Sequence, residues 1–483
     1  MTLKQRPAGR DRTLQNDRVR RARELGIDPY PARCHAKTPV STILEPSALE
    51  ECWAAGWIRG IRSQDGGRSI VLSDLTGSLS IRVRPEGLSS AGRKVLAFIR
   101  PGDIIEARGR LSEGIFLADE VRLLAAGAEP EKAGGGEEGG GGPEIPGAGT
   151  LRLRASLLKA VRGFFDGRGF LEVETPALLT ASDPAPHLDS FVTEYADARG
   201  RRRFFLQTSP ELPMKRLLGA GHERIYQIAK FFRNGERTAL HNPEFTGIEW
   251  YEAYADYRSA METAETLVAS VTKEVLGETR LRVRGGALDL SPPWERIRVR
   301  DAFIRHAGID LRACQRRTDL AESARKSGVH VTPDDSWEDL FFKISLERVE
   351  PMLGRSRPTL LFDYPAPLAL LAKRKTDDPA VAERFEVFAG GMELANGFTE
   401  LNDPAEQRDR WERELDVRRS GEPDASPSSP SPLPPLDEEF LEALEGGVPP
   451  AAGVALGLDR WVMLLAGCAD IGEVRCFAFD AQG

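Results

Sequence analysis

Short stretches of alternating apolar and polar residues run through the first quarter of the chain, and this is the pattern of half-buried β-strands. Turn residues such as Gly66 and Gly67 separate five of them, which are GWIRGIR, SIVLSDL, SLSIRVR, DIIEARGRL and IFLADEVRLL. Their spacing predicts an all-β domain over residues 50–126. It leaves two architectures open, a small closed barrel and a β-sandwich.

The pattern changes to a helical period after residue 150, where apolar residues recur through Leu157, Val161 and Phe165. Strand-like stretches follow in FLEVETP, which ends at Pro176, and in RFFLQTSP, ERIYQIAKFF and FTGIEWYEAY. In GVALGLDRWVMLL a glycine-rich strand gives way to a helix. This part of the chain is therefore predicted to be a mixed sheet with flanking helices.

Two segments are too rich in glycine, proline, serine and glutamate to belong to a packed core. EPEKAGGGEEGGGGPEIPGAG predicts a flexible linker, and SGEPDASPSSPSPLPPL predicts a disordered loop. At 483 residues the chain is long enough for two or three domains. We predict the following order: a basic arm or helix (1–49), the β-domain (50–126), the linker (127–150) and a second domain (151–483) that contains the loop (420–436).

Charge and cysteine content narrow the class of protein. The net charge of −8 gives no overall attraction to nucleic acid, but residues 1–37 carry ten Lys or Arg against four Asp or Glu. This basic segment is either a solvated tail or an arm that contacts RNA. The five cysteines lack the spacing of a zinc site or a disulfide framework. With no signal peptide and no apolar run of membrane-spanning length, a cytoplasmic protein without membrane contact is expected.

Two arginines far apart in the sequence are candidates to bracket one polyphosphate. Arg233 follows two phenylalanines at the end of a predicted strand, and Arg460 begins a helix after a glycine-rich stretch. A guanidinium is planar and permanently charged, and it binds phosphate oxygens in pairs. His241, in a His-Asn-Pro-Glu turn, is close enough to Arg233 in sequence to touch the same phosphates.

Carboxylates form a second set of candidates. Glu386 and Glu393 flank a Gly-Gly turn, so they can face each other across a hairpin. Paired carboxylates that face phosphates commonly hold Mg²⁺, which keeps several of its waters. Without the two arginines, the same residues would be interpreted as ordinary exposed strand glutamates.

A third set is suited to a compact organic cation. Asn396, Phe398 and Glu400 alternate along one predicted strand, so their side chains point to one face. Glu211 and Tyr251 offer a further carboxylate and a further ring. Because a buried ammonium needs a carboxylate partner and complete hydrogen bonding, these five residues are candidates for a single pocket.

Several of these stretches resemble the signature motifs of one enzyme class. FLEVETP, then FRN with HNPEFT and EWY, then GVALGLDR are similar to motifs 1, 2 and 3 of the class II aminoacyl-tRNA synthetases. TSPEL, HNPEFT and ELANGFTELND resemble the lysine-specific branch. Within it, residues 205–256 and 348–478 look most like the elongation factor P lysine ligases. Those enzymes attach lysine or β-lysine to a lysine side chain of a protein.

The resemblance implies a fold, ligands and residue roles. The fold would be α+β, a class II synthetase core with a mixed, largely antiparallel sheet, plus an N-terminal OB-fold β-barrel. The ligands would be ATP, Mg²⁺ and lysine or β-lysine, in a homodimer whose interface includes Pro176. Arg233 and Arg460 would be catalytic at the phosphates, and the other implied contacts are Glu236, His241, Asn242 and Phe245 to ATP, Glu386 and Glu393 to Mg²⁺, and Glu211, Tyr251, Asn396, Phe398, Glu400 and Ala455 to lysine.

The chain departs from the family pattern in two places. Two residues after the motif 2 arginine the family has Glu, whereas this chain has Gly235 followed by Glu236. Either Glu236 takes over the ATP contact through a local shift, or that contact is lost. In the β-domain, Ile70 and Ser73 stand where the Phe and Gln that bind anticodon bases are expected. Anticodon reading is therefore doubtful, and Glu120 and the basic arm would support only weaker RNA binding.

The sequence predicts a ligase that adenylates lysine or β-lysine and transfers it to a lysine of elongation factor P. Ala455 supports this prediction, because the resemblance places Ala here in the protein ligases and Gly in the tRNA ligases. A lysine–tRNA ligase is the first alternative, and RARELGIDPYP followed by a barrel favours it. A non-catalytic RNA-binding or regulatory paralogue is the second, supported only by Gly235.

Overall fold

The structure is a computed structural model that describes residues 12–45, 51–64, 66–127, 147–182, 188–283, 286–421, 434–477 and 479. Most of the predicted linker and most of the predicted loop at 420–436 lie outside these residues, as does the start of the basic segment. The chain divides into two compact units, Met1–Gly140 and Gly141–Gly483. The division falls inside the segment predicted as a linker.

The first unit is a closed barrel. Its elements are α1 (Arg12–Glu24), α2 (Val40–Ile43), β1 (Cys52–Gln64), β2 (Gly67–Ser73), β3 (Ser78–Val83), α3 (Ser90–Phe98), β4 (Ile104–Ser112) and β5 (Ile115–Ala125). The strands close in the order β1-β2-β3-β5-β4, with α3 between β3 and β4. β3 and β5 are parallel, and the other neighbours are antiparallel. The structure therefore selects the barrel over the sandwich.

Alternation along the strands decides which side chains fill the barrel. Ile70 of β2 is fully buried, whereas the adjacent Val71 is 39% exposed. Helix α1 packs on the same core through Ala22. Arg18, also on α1, forms an ion pair of 2.5 Å with the buried carboxylate of Asp103. Within the basic segment, Arg12–Glu24 thus forms a helix folded against the barrel, not a solvated tail.

The two residues expected at base-reading positions are not on the outer surface of the barrel. Ile70 belongs to the core, and Ser73 is buried with its hydroxyl 2.8 Å from that of Ser78. That assignment is therefore wrong, because a buried side chain cannot stack on a base. Glu120 on β5 is accessible and lies 3.7 Å from Arg108, so its RNA contact stays a prediction.

The second unit is built on an eight-stranded mixed sheet, whose strands lie side by side in the order β14 (Glu295–Arg298), β15 (Thr359–Pro365), β16 (Val381–Ala389), β17 (Met392–Thr399), β18 (Ala451–Gly457), β11 (Glu244–Ala253), β10 (Arg224–Phe232) and β6 (Leu171–Glu172). β6 with β10 and β14 with β15 are parallel pairs, and the other neighbours are antiparallel. In chain order its elements are α4 (Ala148–Asp166), β6 (Leu171–Glu172), β7 (Leu178–Leu179), β8 (Val192–Asp197), β9 (Gly200–Leu206), α5 (Glu211–Gly219), β10 (Arg224–Phe232), β11 (Glu244–Ala253), α6 (Tyr257–Leu276), β12 (Arg280–Val283), β13 (Gly286–Asp289), β14 (Glu295–Arg298), α7 (Val299–Ala307), α8 (Arg317–Lys326), α9 (Trp337–Ile344), β15 (Thr359–Pro365), β16 (Val381–Ala389), β17 (Met392–Thr399), α10 (Pro404–Gly421), α11 (Glu438–Glu445), β18 (Ala451–Gly457) and α12 (Leu458–Ala466).

The largest core lies between this sheet and helices α4, α6 and α12. Leu157, Val161 and Phe165 repeat at helical spacing on α4, and all three are buried against Ile248 and Trp250 of β11. The helix and the strands predicted from the apolar pattern are confirmed here. Among the helices that the structure describes, none is long and apolar enough to cross a membrane.

The strand predicted in FLEVETP is shorter than expected. Only Leu171–Glu172 pairs with β10, after which the N–H of Val173 donates to the carbonyl of Tyr226 at 2.9 Å. Pro176 has no N–H with which to continue the ladder. The backbone pairing of this edge ends at Val173, and the proline prevents it from resuming at residue 176.

Candidate active site

A cavity of about 700 Å³ lies in the second unit. Side chains reach it from β11, β16, β17 and β18 and from the first turns of α5 and α12. Glu400 is the only residue of the predicted site that does not line it. The predicted residues that do are Glu211, Arg233, Glu236, His241, Asn242, Phe245, Tyr251, Glu386, Glu393, Asn396, Phe398, Ala455 and Arg460.

The central strand of the cavity is β18, which pairs with β11 on one side and β17 on the other. Ala455 lies directly opposite both Glu249 and Asn396. Because side chains alternate along a strand, Tyr251 lies on the face of Glu249, and Phe398 on the face of Asn396. Polar side chains from two strands thus converge around the methyl group of Ala455.

Gly453 allows this packing two residues earlier on β18. A Cβ atom there would lie 2.3 Å from a ring carbon of Tyr251 and 2.3 Å from Oε1 of Glu400. Any larger residue would displace both groups. Glycine is therefore required by the close approach of side chains here, while the backbone keeps ordinary strand geometry.

Arg460 holds one end of the cavity through a fixed set of acceptors. Its Nη1 donates to the carbonyl oxygen of Glu393 at 2.9 Å and to Oε2 of the same residue at 3.3 Å. Its Nη2 lies 2.8 Å from Nε2 of His241, and Nδ1 of that ring lies 2.7 Å from Oγ1 of Thr238. Burial and the charge of Arg460 lower the pKa of His241. The imidazole is thus neutral, accepts from Arg460 and donates to Thr238.

Arg233 stands over the ring of Phe245 with its guanidinium carbon 5.2 Å from the ring centroid. Its Nη1 lies 3.6 Å from Oε1 of Glu236, and its buried Nε has no hydrogen-bond partner among the described residues. Gly235 adopts a φ of +81°, which turns the chain so that Glu236 lines the cavity. A carboxylate therefore lies beside Arg233, and whether it takes over the ATP contact stays a prediction.

Glu386 and Glu393 lie diagonally across the β16–β17 hairpin. Glu386 pairs opposite Asn396, and Glu393 pairs opposite Phe388, with a β-bulge between these pairs. Without the bulge, Glu393 and Asn396 would point to opposite faces, since they are three residues apart. The extra residue turns Glu393 onto the face of Asn396, so both carboxylates line the cavity.

The donor set at this hairpin suits a cation that takes part of its coordination from water and phosphate. Burial and the nearby Glu393 raise the pKa of Glu386 to about 7, while Arg384, 2.7 Å away, opposes the shift. A buried carboxylate with a second negative charge beside it favours a bound divalent cation. Among the described residues there is no cluster of three or more His, Cys, Asp or Glu that could hold a metal alone.

At the other end of the cavity a buried lysine is held between two carboxylates. Nζ of Lys215 lies 2.5 Å from Oε1 of Glu211 and 2.5 Å from Oε2 of Glu400, and 5.1 Å from the ring centroid of Phe398. The Lys215 side chain is 2% exposed and that of Glu400 is 1% exposed. Glu400 thus faces Lys215 from behind the cavity, although the resemblance gave it a direct contact with substrate.

A third carboxylate completes this end. The hydroxyl of Tyr251 donates to Oε2 of Glu249 at 2.8 Å, and Oε1 of Glu249 is buried with no hydrogen-bond partner within the described ranges of the chain. Burial and the negative charge of Glu211 raise the pKa of Glu249 to about 8. Burial also raises the pKa of Glu400 to about 8, in spite of Lys215. At this end of the cavity the carboxylates therefore outnumber the positively charged groups.

A network of ion pairs around Asp459, which also lines the cavity, supports the phosphate end. Asp459, 1% exposed, accepts from Nη1 of Arg154, from Nη1 of Arg475 at 2.6 Å and from the N–H of Thr246 at 2.9 Å. These partners come from α4, the C-terminal segment and β11. Asp459 thereby fixes the start of α12, where Arg460 follows.

Glu249 and Lys215 were not among the residues predicted from the sequence. Glu249 could have been found, because it alternates with the predicted Tyr251 on one strand and so shares its face. Lys215 lies one helical turn after Glu211, so their contact was also predictable. Its second partner, Glu400, is distant in sequence and became visible only in the fold.

Comparisons with known proteins agree with this geometry. Residues 148–481 match the family described as tRNA synthetases class II (D, K and N), and residues 52–127 match the OB-fold nucleic acid binding domain. Proteins named lysine–tRNA ligase are similar over nearly the whole chain. The one from Pelotomaculum thermopropionicum is 34% identical, and the alignment covers 96% of this chain and 93% of the relative. The one from Dehalococcoides mccartyi is also 34% identical, with 95% of each chain covered. The one from Moorella thermoacetica is 33% identical, with 95% of this chain and 96% of the relative covered.

These relatives favour the first alternative of the sequence analysis and give no support to the elongation factor P branch as the main interpretation. They match the barrel as well as the catalytic unit, since the alignments cover both. The chain belongs to the class II aminoacyl-tRNA synthetases, in the family of AMP-forming, lysine-activating ligases.

Proposed function

We propose that the protein is a lysine–tRNA ligase, which adenylates lysine with ATP and transfers the lysyl group to tRNA. The observation that carries the proposal is the charge of the amino-acid end of the cavity. Glu249 and Glu400, which are buried, and Glu211, whose side chain is 16% exposed, contribute three carboxylates against the single ammonium of Lys215. The surplus suits a substrate with two ammonium groups, and lysine is such a substrate.

The phosphate end would bind ATP. Arg233 has a buried Nε without a hydrogen-bond partner in the part of the chain that the structure describes, and its guanidinium lies over Phe245, which supports a contact with the α-phosphate. Arg460 would hold the γ-phosphate, with His241 as a neutral neighbour that orients it. Asn242 and Phe245 line the same region, and Glu236 would contact the adenine end of the nucleotide.

Mg²⁺ fits the pair of carboxylates at the hairpin. Glu386 and Glu393 would hold it together with water and phosphate oxygens. When bound, the ion neutralises negative charge on the phosphates of ATP. Arg384, which is paired with Glu386 and hydrogen-bonded to Oδ1 of Asn396 at 3.2 Å, links this pair to the amino-acid end.

Catalysis would consist mainly of alignment and charge neutralisation. A carboxylate oxygen of lysine attacks the α-phosphorus, the bond to the bridging oxygen breaks, and pyrophosphate leaves. Arg233 would stabilise the charge on the transferring group, since a guanidinium fixed in place needs no reorganisation during the step. Asn396 would hold the carboxylate end of lysine, and Phe398 and Tyr251 the alkyl chain, so that the attacking oxygen lies in line.

The remaining parts of the proposal concern assembly and the acceptor. The barrel would bind the tRNA, supported by its match to a nucleic-acid-binding OB-fold domain. A homodimer with Pro176 at its interface is expected from the motif 1 resemblance. A cytoplasmic location would follow from a role in charging tRNA for translation.

The proposal is tested by following labelled lysine from ATP-dependent activation to its final acceptor. Purified full-length protein is incubated with ATP, Mg²⁺ and labelled lysine, with either total tRNA or unmodified elongation factor P present. We expect label on tRNA and little on the protein acceptor. Label on elongation factor P alone would replace the tRNA ligase proposal with the protein ligase, and no activation at all would leave the non-catalytic paralogue.

Transfer to a lysine of elongation factor P is the second candidate function, and Ala455 is the observation that favours it. Its methyl group lies at the centre of the cavity, opposite Glu249 and Asn396, where the resemblance places Gly in the tRNA ligases. One methyl group in a tight pocket alters which amino acids fit. This candidate therefore also specifies β-lysine as the preferred substrate.

The two candidates predict different effects of Ala455→Gly. The protein ligase predicts a wild type that prefers β-lysine, and a variant whose preference moves about 10-fold or more toward α-lysine. The tRNA ligase predicts that α-lysine is preferred by both proteins. The measurement is the ratio of activation efficiencies for the two amino acids. Ala452→Gly, which removes a buried methyl group from the same strand outside the cavity, is the control.

A further inference from the structure

Lys215 is an ammonium group buried inside a subsite that has to recognise ammonium groups. Its Nζ contacts Glu211 and Glu400 at 2.5 Å each, and the ring of Phe398 lies 5.1 Å away. Its side chain is 2% exposed. A resident cation in this position competes for the same carboxylates as the proposed substrate, so its presence calls for a physical reason.

Stability alone does not supply that reason. Removing two charges from water costs several kcal/mol per ion, and a well-packed apolar replacement of a buried ion pair is often neutral or stabilising. The surroundings of Lys215 are apolar, since Leu212, Met214 and Leu218 of α5 are buried around it in one cluster. A leucine or methionine would fit such a helix face, yet the chain carries a lysine.

The two partners of Lys215 occupy different positions relative to the cavity. Glu211 lines it, whereas Glu400 does not. Lys215 therefore connects a carboxylate that can touch a ligand to one that lies behind the wall. Its ammonium fixes the position of the Glu211 side chain from one side, which leaves the other oxygen of Glu211 and the carboxylate of Glu249 for the ligand.

We propose that Lys215 is a positioning residue of the amino-acid subsite, which orients the carboxylate of Glu211 and determines the affinity for lysine without affecting the binding of ATP. This inference rests on the proposed function, because it assumes that lysine enters this end of the cavity. Lys215 acts through Glu211 and Glu400 and makes no contact with the reacting atoms. Arg233 and Arg460, which would bind ATP, are not among the partners of Lys215.

The charges around Lys215 should make the affinity for lysine depend on pH. The ionisable groups that face Lys215 are Glu211 on α5, Glu249 and Tyr251 on β11, and Glu400 after β17. Burial raises the pKa of Glu249 and of Glu400 to about 8, and Lys215 opposes both shifts. An ammonium ligand prefers ionised carboxylates, so affinity for lysine rises as pH increases through this range. Loss of Lys215 moves the rise to higher pH.

The test is lysine-dependent exchange of pyrophosphate into ATP by the full-length protein and its variants. For Lys215→Met we expect the KM for lysine to rise about 10-fold to 100-fold, as for a lost hydrogen bond to a charged group, with the KM for ATP within about 2-fold of wild type. The rise of kcat/KM for lysine with pH should shift upward. Lys273→Met, on the exposed face of α6, is the control and should change none of these values.

A second variant keeps the test decisive if Lys215→Met is unstable. Lys215→Met combined with Glu400→Gln removes both charges of the inner pair, so it should fold like wild type and still bind lysine weakly. Wild-type affinity for lysine in either variant would overturn the inference, as would an equal rise in both KM values. If the wild type itself shows no exchange with lysine, the proposed function fails, whereas an active wild type with unaffected variants rejects the role of Lys215 alone.

Discussion

Replacement of Arg233 by alanine is expected to lower lysine-dependent exchange of pyrophosphate into ATP by about 10²-fold or more, a loss typical of removing one charge partner of a transition state. The buried Nε of this guanidinium has no acceptor among the residues that the structure describes, and the group lies over Phe245, so its charge is available to a ligand. The loss should appear mainly in kcat, because the charge on the α-phosphate grows as the new bond forms.

Two further variants distinguish the loss of the Arg233 charge from a loss of activity caused by misfolding. Arg233→Lys keeps the charge but loses the planar pair of donors, so its activity should fall between those of wild type and Arg233→Ala. Arg224→Ala removes an exposed arginine, paired with Glu252, from the opposite end of β10 and should leave exchange unchanged. Exchange by Arg233→Ala within about 3-fold of wild type would exclude Arg233 from a role in charge stabilisation, for which about 10² is expected.

The elements that carry the site were predictable because their patterns are local. Alternation in β10 and β11 and the change from strand to helix at Leu458 follow directly from the order of apolar residues. The signature stretches in these elements also placed Arg233 and Arg460, which both line the cavity. The alternation of residues along a strand thus predicts which side chains share a face. The residues that share a face in turn predict the approximate composition of the site.

Contacts that depend on distant segments were not predictable in this way. Lys215 meets Glu400 only because α5 packs beside the end of β17, and no periodicity links the two positions. The bulge that turns Glu393 into the cavity is likewise invisible in the sequence, since the spacing of seven residues from Glu386 is compatible with a regular hairpin. Arg154 and Asp459, 305 residues apart, form their ion pair through the packing of α4 and α12.

That last ion pair leads to the largest stability effect that we expect. Asp459 is 1% exposed and serves Arg154, Arg475 and the N–H of Thr246 at once. Asp459→Ala would leave two guanidinium groups without their shared carboxylate in a site that water reaches poorly. Breaking a buried ion pair by removing one partner typically costs about 3–5 kcal/mol, so urea unfolding of the second unit should move to a clearly lower midpoint.

The same substitution should also reduce activation of lysine, because Asp459 immediately precedes Arg460 at the start of α12. The matched control is Asp409→Ala, which removes the carboxylate of an exposed ion pair with Arg413 and should change the free energy of unfolding by less than about 1 kcal/mol. Urea midpoints followed by tryptophan fluorescence, with exchange activity measured on the same samples, provide both values. Equal midpoints for the two variants would mean that the arginines find other acceptors, and Asp459 would then not be the residue that anchors Arg460.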